Sequence, residues 1–428
     1  MHKQGLTVRL LLLCTVYSLL MGVLAGCGSG DNNPAQTQPP TEETQEQDQG
    51  DGMYDADGYL KDSLPEDLDF GNDTIDVLFW NECPVVEFNV EVLSGDTISD
   101  AVYNRNQSVE FRLNVDLNWI AIDGHWPNEA NFVAAVQNSI NGNLNLYDII
   151  ATYSQSAAAI ANYNLVKNLM DLPYLDFEKP WWPSSLTETF MIGDNLFFLS
   201  GDISTSLLNE MIVTFFNPAL IETVNLYDMV RSNEWTLEQM MELVRDIYTD
   251  RGTIGVKDTA DTYGIIVPYT HVDGFFYGSG LVTVDRDRNG ALEVNSDFVG
   301  EKADTLAGML QTMFQVRESG AISDSKGVHT QREFAQGLSA FLVANAGSAI
   351  TYMADTNVKY GILPMPKYNS DQDEYHTTAS NMITLYTVAS DCSEEDAMRS
   401  TAVLECMASE SYRQLTPVVF EECLKLRY

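Results

Sequence analysis

Aromatic and polar side chains stand together at the ends of two predicted strands. The first group is Trp80, Asn81 and Glu82, after the apolar run that begins at Ile75, and the second is Tyr153 and Gln155, after the run YDIIAT. Ligands of open α/β sheets bind beyond the carboxyl ends of the strands, so both groups are expected at one cleft. Aromatic faces, carboxylates and amides are the groups that line small-molecule sites. We therefore predict a ligand-binding cleft at this edge; the alternative places Trp80 in the core and Glu82 in solvent.

Other polar and aromatic residues could reach the same cleft from later segments. They are Trp181, Trp182, Asp202, Ser204, Glu210, Asp273, Phe275, Phe276 and Tyr277. Neighbouring side chains point in different directions, so at most one of the two tryptophans is expected to line the cleft. Glu210 precedes a predicted buried strand, and the segment that begins at Asp273 follows another strand. The alternatives are a plain loop or solvated turn for the acidic residues and core packing for the aromatic ones.

The sequence offers little for catalysis. Its five histidines form no HExxH pair, and it contains no GxSxG, GxGxxG or P-loop pattern. The segment 285–290 imitates the start of a calcium loop, but Ser296 stands where a bidentate glutamate belongs and two arginines intrude. A hairpin that turns at Asn289-Gly290 is the better prediction. We predict a protein that is not an enzyme and holds no metal or cofactor, although spacing alone leaves the paired carboxylates of a glycosidase open.

The segment 194–218 should connect two α/β lobes. Its apolar run 196–199 breaks at Gly201-Asp202, and a second run, 211–216, ends at Asn217-Pro218. Apolar runs of this length between turn residues are typical of strands buried on both faces. We therefore predict that this segment crosses between the lobes, beside the cleft.

Strand and helix patterns alternate on both sides of that segment, which predicts a parallel or mixed sheet in each lobe. Before it, the run that begins at Ile75, the alternation at 115–119 and the run 147–152 predict strands separated by helices. After it, Thr236 and Gln239 form a capping box that begins a helix. We also predict helices over 300–317, 331–344 and from Ser393 to about residue 409.

Length and charge limit the classes of protein. A chain of 428 residues suits two or three domains. The net charge of −39 repels nucleic acid and anionic lipid headgroups, so a nucleic-acid partner is excluded.

The first 27 residues carry a targeting signal. Lys3 and Arg9 precede an apolar run, 10–24, that is too short to span a membrane comfortably. The run ends in LAGC, which resembles the lipobox of bacterial lipoproteins and implies cleavage before Cys27 and its lipidation, including a palmitate chain. The alternative is an ordinary secretory signal. Residues 27–72 are then the lipidated cysteine and an acidic, disordered tether on the extracellular face of the cell membrane.

Four further cysteines lie in the rest of the chain, at Cys83, Cys392, Cys406 and Cys423. Their spacing matches no zinc pattern and no CxxC redox site. A disulfide among the last three and buried free thiols both stay open.

Taken in order, several segments resemble the extracellular solute-binding proteins, family 1, of ABC importers, the family of the maltose-binding protein. The segments are the lipobox and acidic tether, IDVLFWNE, YDIIATY, KPWW, the crossing segment that ends FFNP, EWTLEQMMELVRDIYTD, TYGI and YGILPMPKYNSDQDEYHTT. The resemblance implies a two-lobed α/β fold of the type II periplasmic-binding class, with a ligand cleft between lobes that close on a carbohydrate. It also implies a monomer that hands its ligand to a permease in the membrane.

The expected domain boundaries follow from this resemblance. Residues 1–26 are the signal peptide, 73–208 with about 383–416 form the first lobe, and 209–382 with about 417–428 form the second lobe. Family members continue through further helices after the position of Tyr428, so the second lobe is expected to be incomplete here. A cell-surface glycan hydrolase or a glycan receptor without transport is the alternative function.

Overall fold

The structure is a computed structural model that describes residues 53–55, 58–221, 224–256, 258–287, 290–316, 320–322 and 328–421. The predicted signal peptide, the lipidation site Cys27 and Cys423 lie outside the described residues. Within the described part, no helix combines the length and the apolar character that crossing a membrane requires.

The described strands form two mixed sheets and one hairpin. They are β1 (Asp73–Trp80), β2 (Val115–Ile122), β3 (Ile149–Tyr153), β4 (Ile212–Phe216), β5 (Tyr263–Val267), β6 (Val284–Arg286), β7 (Leu292–Val294), β8 (Gly320–Ile322), β9 (Ser339–Asn345), β10 (Gly361–Leu363) and β11 (Thr384–Val388). Each of the two larger sheets belongs to one lobe, which confirms the predicted two-lobed α/β fold.

Helices cover both sheets. They are α1 (Thr97–Leu113), α2 (Glu129–Asn141), α3 (Ser154–Asn162), α4 (Ser184–Phe190), α5 (Thr205–Asn209), α6 (Leu226–Arg231), α7 (Leu237–Val244), α8 (Asp273–Gly278), α9 (Glu301–Gln311), α10 (Val328–Ala335), α11 (Ser348–Thr351), α12 (Glu394–Glu410) and α13 (Thr416–Phe420). The side chain of Thr236 accepts a hydrogen bond from the backbone N–H of Gln239, as the capping box predicts for α7.

The first lobe is built on the sheet β11-β3-β1-β2. Strand β1 is parallel to both β2 and β3, and β11 is antiparallel to β3. Helices α1 and α2 return the chain between consecutive parallel strands, as parallel pairing requires. The carboxyl ends of β1, β2 and β3 consequently meet at one edge of this sheet.

The second lobe is built on the sheet β10-β4-β9-β5-β8. Strand β5 is parallel to β9 and β8, whereas β4 runs antiparallel to β9. The first residue of β4 therefore lies at the same edge as the carboxyl ends of β5 and β9.

The predicted helix over 331–344 is wrong in its second half. Helix α10 ends at Ala335, Gly337 takes a φ of +79°, and the chain continues as β9. The first six residues of β9 are all buried between β4 and β5. A run buried on every side has no periodicity that distinguishes a strand from a helix, and the glycine, which adopts a positive φ without strain, is the boundary signal.

The segment 194–218 runs from one sheet to the other. Leu199 pairs with Tyr386 of β11 in the first lobe, and the segment ends as β4 in the second. Helix α5 lies between these strand pairings. A second connection runs alongside, because the N–H of Ile212 donates to the carbonyl of Thr378 and the N–H of Ser380 donates to that of Glu210, both at 2.8 Å. The two connections form the double crossing between the lobes.

Ordered structure begins before residue 73, where the tether was predicted to end. Leu64 is buried in the first lobe, and the Asp55 carboxylate lies 3.1 Å from the Arg413 guanidinium. Nζ of Lys179 donates to the carbonyl of Lys61 at 2.9 Å. Leu60, Leu68 and Phe70 also pack against the core of the first lobe. The acidic composition of the predicted tether gave no indication of these apolar contacts.

The described end of the chain packs on the first lobe, whereas residues from 417 onward were assigned to the second. Val419 of α13 lies in one apolar cluster with Ala101 and Val102 of α1. Cys83, Cys392 and Cys406 are free thiols, so among the described cysteines the free-thiol alternative holds.

Candidate ligand-binding site

Three rings form a floor at the carboxyl edge of the first sheet. The ring centroid of Tyr153 lies 5.4 Å from that of Trp80 and 5.0 Å from that of His125. Nε1 of Trp80 donates to Oγ1 of Thr384 at 2.9 Å, and Nδ2 of Asn381 donates to the hydroxyl of Tyr153 at 2.6 Å. Trp80 is fully buried, which agrees with the core alternative. Tyr153 is also buried, at 2% exposed, so neither Trp80 nor Tyr153 offers a face to a ligand in this structure, and the prediction for Tyr153 is corrected.

Glu82 holds the turn that follows β2. Its Oε2 accepts hydrogen bonds from the N–H groups of Gly124 at 2.7 Å and His125 at 2.6 Å, and its Oε1 accepts one from Nδ2 of Asn128 at 2.8 Å. Burial acts to raise the pKa of Glu82, but these hydrogen bonds outweigh it and lower the pKa below its ordinary value. Glu82 is therefore an ionised acceptor within the protein, rather than the solvated side chain of the alternative.

Polar side chains form an exposed rim at the same strand edge. Asn81 and Gln155 are exposed, as a ligand-binding role requires, and Nδ2 of Asn81 donates to Oδ1 of the exposed Asp123 at 3.2 Å. Trp126, in the turn held by Glu82, is 68% exposed. No periodic pattern marked Trp126, because it lies in a turn; its position shortly after the end of β2 was the available signal.

Glu210 lies in the double crossing and joins three segments. It is only 3% exposed, and its carboxylate accepts hydrogen bonds from Nδ2 of Asn345 at 3.1 Å and from the hydroxyl of Ser380. Burial raises its pKa against the effect of these two hydrogen bonds. Asn345 ends β9, so Glu210 fixes both connections to the second sheet. It is not on a solvated turn.

Trp181, Trp182 and Asp202 lie inside the first lobe, away from the rim. Both indoles are buried, and their Nε1 atoms donate to Oε1 and Oε2 of Glu405 at 3.1 and 2.8 Å. At most one of them was predicted to line the cleft, and in this structure both pack in the core and neither lines the rim. Burial raises the pKa of the Asp202 carboxyl to about 6 against a hydrogen bond with Thr416.

Two other predicted contacts are also buried. Ser204 donates its hydroxyl proton to the carbonyl of Thr384 at 3.0 Å, and Phe275 lies in the core of the second lobe. Both residues are buried because their side chains make contacts within one lobe: Ser204 with the carbonyl of Thr384, and Phe275 with the apolar core of the second lobe.

Helix α8 carries the candidates of the second lobe. Asp273 is exposed, and the half-buried rings of Phe276 and Tyr277 meet edge to face at 5.2 Å. A Cβ on Gly274 would lie 2.7 Å from Cγ2 of Ile212, so the helix packs closely on the first residue of β4. Although the residue as a whole is exposed, partial burial of its carboxyl group raises the pKa of Asp273, and hydrogen bonds from backbone N–H groups act against this rise.

A continuous series of contacts connects the two candidate edges. Tyr153 bonds Asn381, the adjacent Ser380 bonds Glu210, and Ile212 packs on α8. The structure thus brings the predicted residues of the first-lobe edge next to one crossing connection, with the α8 residues next to the other.

The hairpin β6–β7 makes a further contact between the lobes. The guanidinium of Arg286 donates to the carbonyls of Glu188 and Thr189, both at 3.1 Å, and to that of Met191. These carbonyls lie at the carboxyl end of α4, where the helix dipole favours a cation. The hairpin agrees with the prediction made against a calcium loop; its residues 288–289 lie outside the described chain.

A separate apolar cavity of about 280 Å³ lies at the opposite end of β4, in the second lobe. Phe216, Ile221, Leu226 and Tyr360 line it, with Lys359 as its charged neighbour. Its lining is mainly apolar, and its polar side chains, such as Asn225 and Lys359, include no carboxylate, so the rim is the better candidate for a ligand rich in hydroxyls.

Comparisons with known proteins agree on the fold. No protein-family model matches the chain, and no curated protein matches it in sequence. Among solved structures, it is similar to a cyclo/maltodextrin-binding protein complexed with maltotetraose, with a TM-score of 0.54 and 11% identity over 81% of this chain and 78% of that chain.

Two further structures give the same result. UspC of M. tuberculosis has a TM-score of 0.53 and 14% identity over 81% of this chain and 84% of that one. The galacto-N-biose-/lacto-N-biose I-binding protein of the ABC transporter from Bifidobacterium longum, in complex with lacto-N-biose, has a TM-score of 0.52 and 10% identity over 80% and 78%. The chain shares the two-lobed fold of these proteins.

Proposed function

We propose that the protein is a carbohydrate-binding member of the extracellular solute-binding proteins, family 1, and delivers its ligand to an ABC permease. The observation that carries the proposal is the first-lobe edge, where exposed polar side chains follow three parallel strands beside the double crossing. Two similar structures contain bound oligosaccharides, maltotetraose and lacto-N-biose. Carboxylate, amide and aromatic groups together match a ligand that has both hydroxyls and an apolar face.

The double crossing supplies the hinge in this proposal. A ligand that contacts both lobes favours the closed state by the free energy of the contacts made only on closure. Asn81 and Gln155 offer hydrogen bonds from the first lobe, and Asp273 with Tyr277 offers contacts from the second. The permease then distinguishes the closed, loaded protein from the open one, and the protein acts as a monomer without a nucleic-acid partner.

We propose binding without catalysis. A glycosidase requires one carboxylic acid that is protonated before reaction and a second carboxylate at a defined distance. Glu82 has a lowered pKa, and its oxygens already accept three hydrogen bonds, so it does not suit the role of general acid. Turnover of a glycan by the purified protein would favour the hydrolase alternative.

The proposal includes a lipid anchor at Cys27 on the extracellular face of the membrane. It rests on the sequence LAGC that ends the apolar run 10–24. Cys27→Ser is expected to release the protein from the membrane fraction or to block its processing. Membrane retention equal to that of the parent would contradict the anchor.

Thermal unfolding with a panel of sugars tests the binding function. The panel contains glucose, maltose, maltotetraose and lacto-N-biose, with inositol phosphate as an anionic control. A ligand at about one hundred times its Kd adds about 2.7 kcal/mol to the free energy of unfolding, which raises the Tm by several degrees. The bound protein should also have a smaller radius of gyration. A panel in which no sugar raises the Tm would reject the carbohydrate proposal.

A further inference from the structure

We infer that Trp126 is the residue of the first lobe on which the sugar ring stacks, and that Glu82 positions it. This inference rests on the proposed carbohydrate function and names the specificity of that site: a cyclic sugar, in preference to an open-chain polyol. Neither aromatic residue predicted from sequence at this edge can fill the stacking role, because Trp80 and Tyr153 are both buried.

The exposure of Trp126 separates it from the other tryptophans. The sequence contains six, and Trp126 is 68% exposed. Trp80, Trp181, Trp182 and Trp235 are at most 2% exposed, and Trp119 is partly buried against the core. An indole in water contributes little to the stability of the fold, although its large flat face suits ligand contact. Trp126 directly follows His125 of the ring floor in the chain, so its exposed indole belongs to the predicted binding edge.

The turn that carries Trp126 is fixed on both sides. Glu82 binds the N–H groups of the two residues before Trp126 and the side chain of Asn128 after it. A Cβ at Gly124 would lie 2.8 Å from Cδ2 of Phe132 and 3.1 Å from Cβ of Trp80, so this turn packs directly on the ring floor. The indole is therefore presented by a preformed turn, and binding loses little conformational entropy there.

The surroundings of Trp126 define the chemistry of its ligand. Asn81, Asp123 and Gln155 are exposed at the same strand edge, and they supply amide donors, amide acceptors and a carboxylate. A pyranose ring has one face of C–H groups for the indole and an equatorial belt of hydroxyls for these polar groups. An open-chain polyol has the hydroxyls without a flat apolar face, so it loses the stacking contribution.

Calorimetric titration of Trp126→Ala and Trp126→Phe with maltotetraose and lacto-N-biose tests the stacking role. The alanine variant should bind about ten-fold to one hundred-fold more weakly, as expected for the loss of a central aromatic contact. The phenylalanine variant should recover part of this loss, because it keeps a smaller flat ring. Phe111→Ala is the matched control: Phe111 is 91% exposed on α1, outside the site, and its variant should bind like the parent.

Fluorescence quenching gives an independent readout. Trp126 is the most exposed indole, so acrylamide should quench a fraction of the emission that is missing in Trp126→Phe. A saturating cyclic sugar should protect that fraction, whereas ribitol at the same concentration should not. Equal protection by ribitol would overturn the preference for a ring.

Glu82→Gln tests the positioning role. A glutamine amide replaces one of the two acceptor oxygens with a donor, so it cannot accept all three hydrogen bonds of the turn. The variant should bind sugar more weakly in the parent background but cause no further loss in Trp126→Ala, because Glu82 acts through the indole. Additive losses in the double variant would reject that role.

The outcomes separate this inference from the proposed function. If a sugar raises the Tm of the parent and binds Trp126→Ala equally well, the stacking role is wrong and the carbohydrate function stands. If neither maltotetraose nor lacto-N-biose, nor any other sugar of the panel, binds the parent, both are rejected.

Discussion

Glu405 and Glu82 are carboxylates of the first lobe that each accept three hydrogen bonds from nitrogen donors, yet their pKa values move in opposite directions. The donors to Glu405 are the indole nitrogens of Trp181 and Trp182 and the backbone N–H of Asp176. Glu405 is fully buried, and burial raises its pKa to about 7 despite the three donors. Glu82 is half-buried at the strand edge, and its three donors lower its pKa.

The comparison shows that a carboxylate with three donors stabilises the fold when it is buried, as Glu405 is, and positions a surface turn when it lies at a strand edge, as Glu82 does. The carboxylate of Glu405 connects α12 to two tryptophans of the core, where water cannot replace a lost partner. Glu82 connects a surface turn to the end of β1, where water can replace each hydrogen bond but cannot hold Trp126 in place. Removing Glu405 should therefore damage the fold, whereas removing Glu82 should damage the site.

Glu405→Ala is one of the two variants that should destabilise the fold most, the other being Trp80→Ala. Glu405→Ala leaves two indole N–H groups and one backbone N–H buried without an acceptor and creates a cavity, which together cost about 3–5 kcal/mol in the free energy of unfolding. Glu82→Ala should cost about 1 kcal/mol, because its donors become solvated. Urea denaturation of the two variants measures the difference. Equal losses would show that the two sites do not differ in this way.

The pH dependence of stability should also follow from Glu405. Its pKa of about 7 in the folded protein lies above the ordinary value of 4.5, so the folded state binds its proton more tightly between these values. The free energy of unfolding should therefore fall as the pH rises from about 4.5 to 7, by at most about 3 kcal/mol from this group.

Glu405→Gln isolates this contribution, because other groups titrate in the same range. Burial raises the pKa of Glu333 to about 7, with the same sign, and lowers that of His271 to about 4, with the opposite sign. The difference in stability between the parent and Glu405→Gln should change across the window and stay constant above about pH 8. A difference that is constant from pH 4 to 8 would mean that the pKa of Glu405 is the same in the folded and unfolded states.

The sequence predicted the lobes better than the site. Alternating strand and helix patterns and the buried runs of 194–218 identified the two sheets and the crossing, since burial on both faces is visible as apolar composition. The helix predicted over 331–344 failed for the same reason, because composition shows burial without showing the element. Contacts between distant segments, such as those of Glu405 with Trp181 and Trp182, have no local signal.

Residues at strand ends were found, but their roles were not. Trp80 and Trp126 are both tryptophans next to strand ends of the same sheet. The one belongs to the strand and points into the core, whereas the other lies in a turn and remains exposed. Only the direction of the side chain distinguishes them, and periodicity does not extend into turns.

A third charged contact joins Arg286 to the end of α4. Its loss should have an effect smaller than that of Glu405→Ala and larger than that of Trp126→Ala on stability. Arg286→Ala removes a cation from three helix-terminal carbonyls, which is worth about 0.3–1 kcal/mol at a partly exposed site. Because this contact joins the lobes, the loss should appear in the closing equilibrium, as an affinity for sugar weakened by up to about five-fold. Small-angle scattering measures the closing equilibrium, and calorimetry measures the affinity for sugar.

Arg286→Lys keeps the charge but not the fork of donors, so it should lose less affinity than Arg286→Ala. An unchanged radius of gyration and affinity in Arg286→Ala would show that the contact does not act on closure.

Trp126→Ala should have the smallest effect on stability, within about 0.5 kcal/mol of the parent, because an exposed side chain gives up little packing. Trp80→Ala, at the other end of the same comparison, should cost about 3–5 kcal/mol, since it empties a fully buried site and removes the hydrogen bond to Thr384. Urea denaturation of both variants without ligand measures the contrast. The nearly unchanged fold of Trp126→Ala is what allows a loss of sugar affinity to be assigned to the missing ring. A stability loss above about 2 kcal/mol would instead make Trp126 part of the packing between its turn and the ring floor.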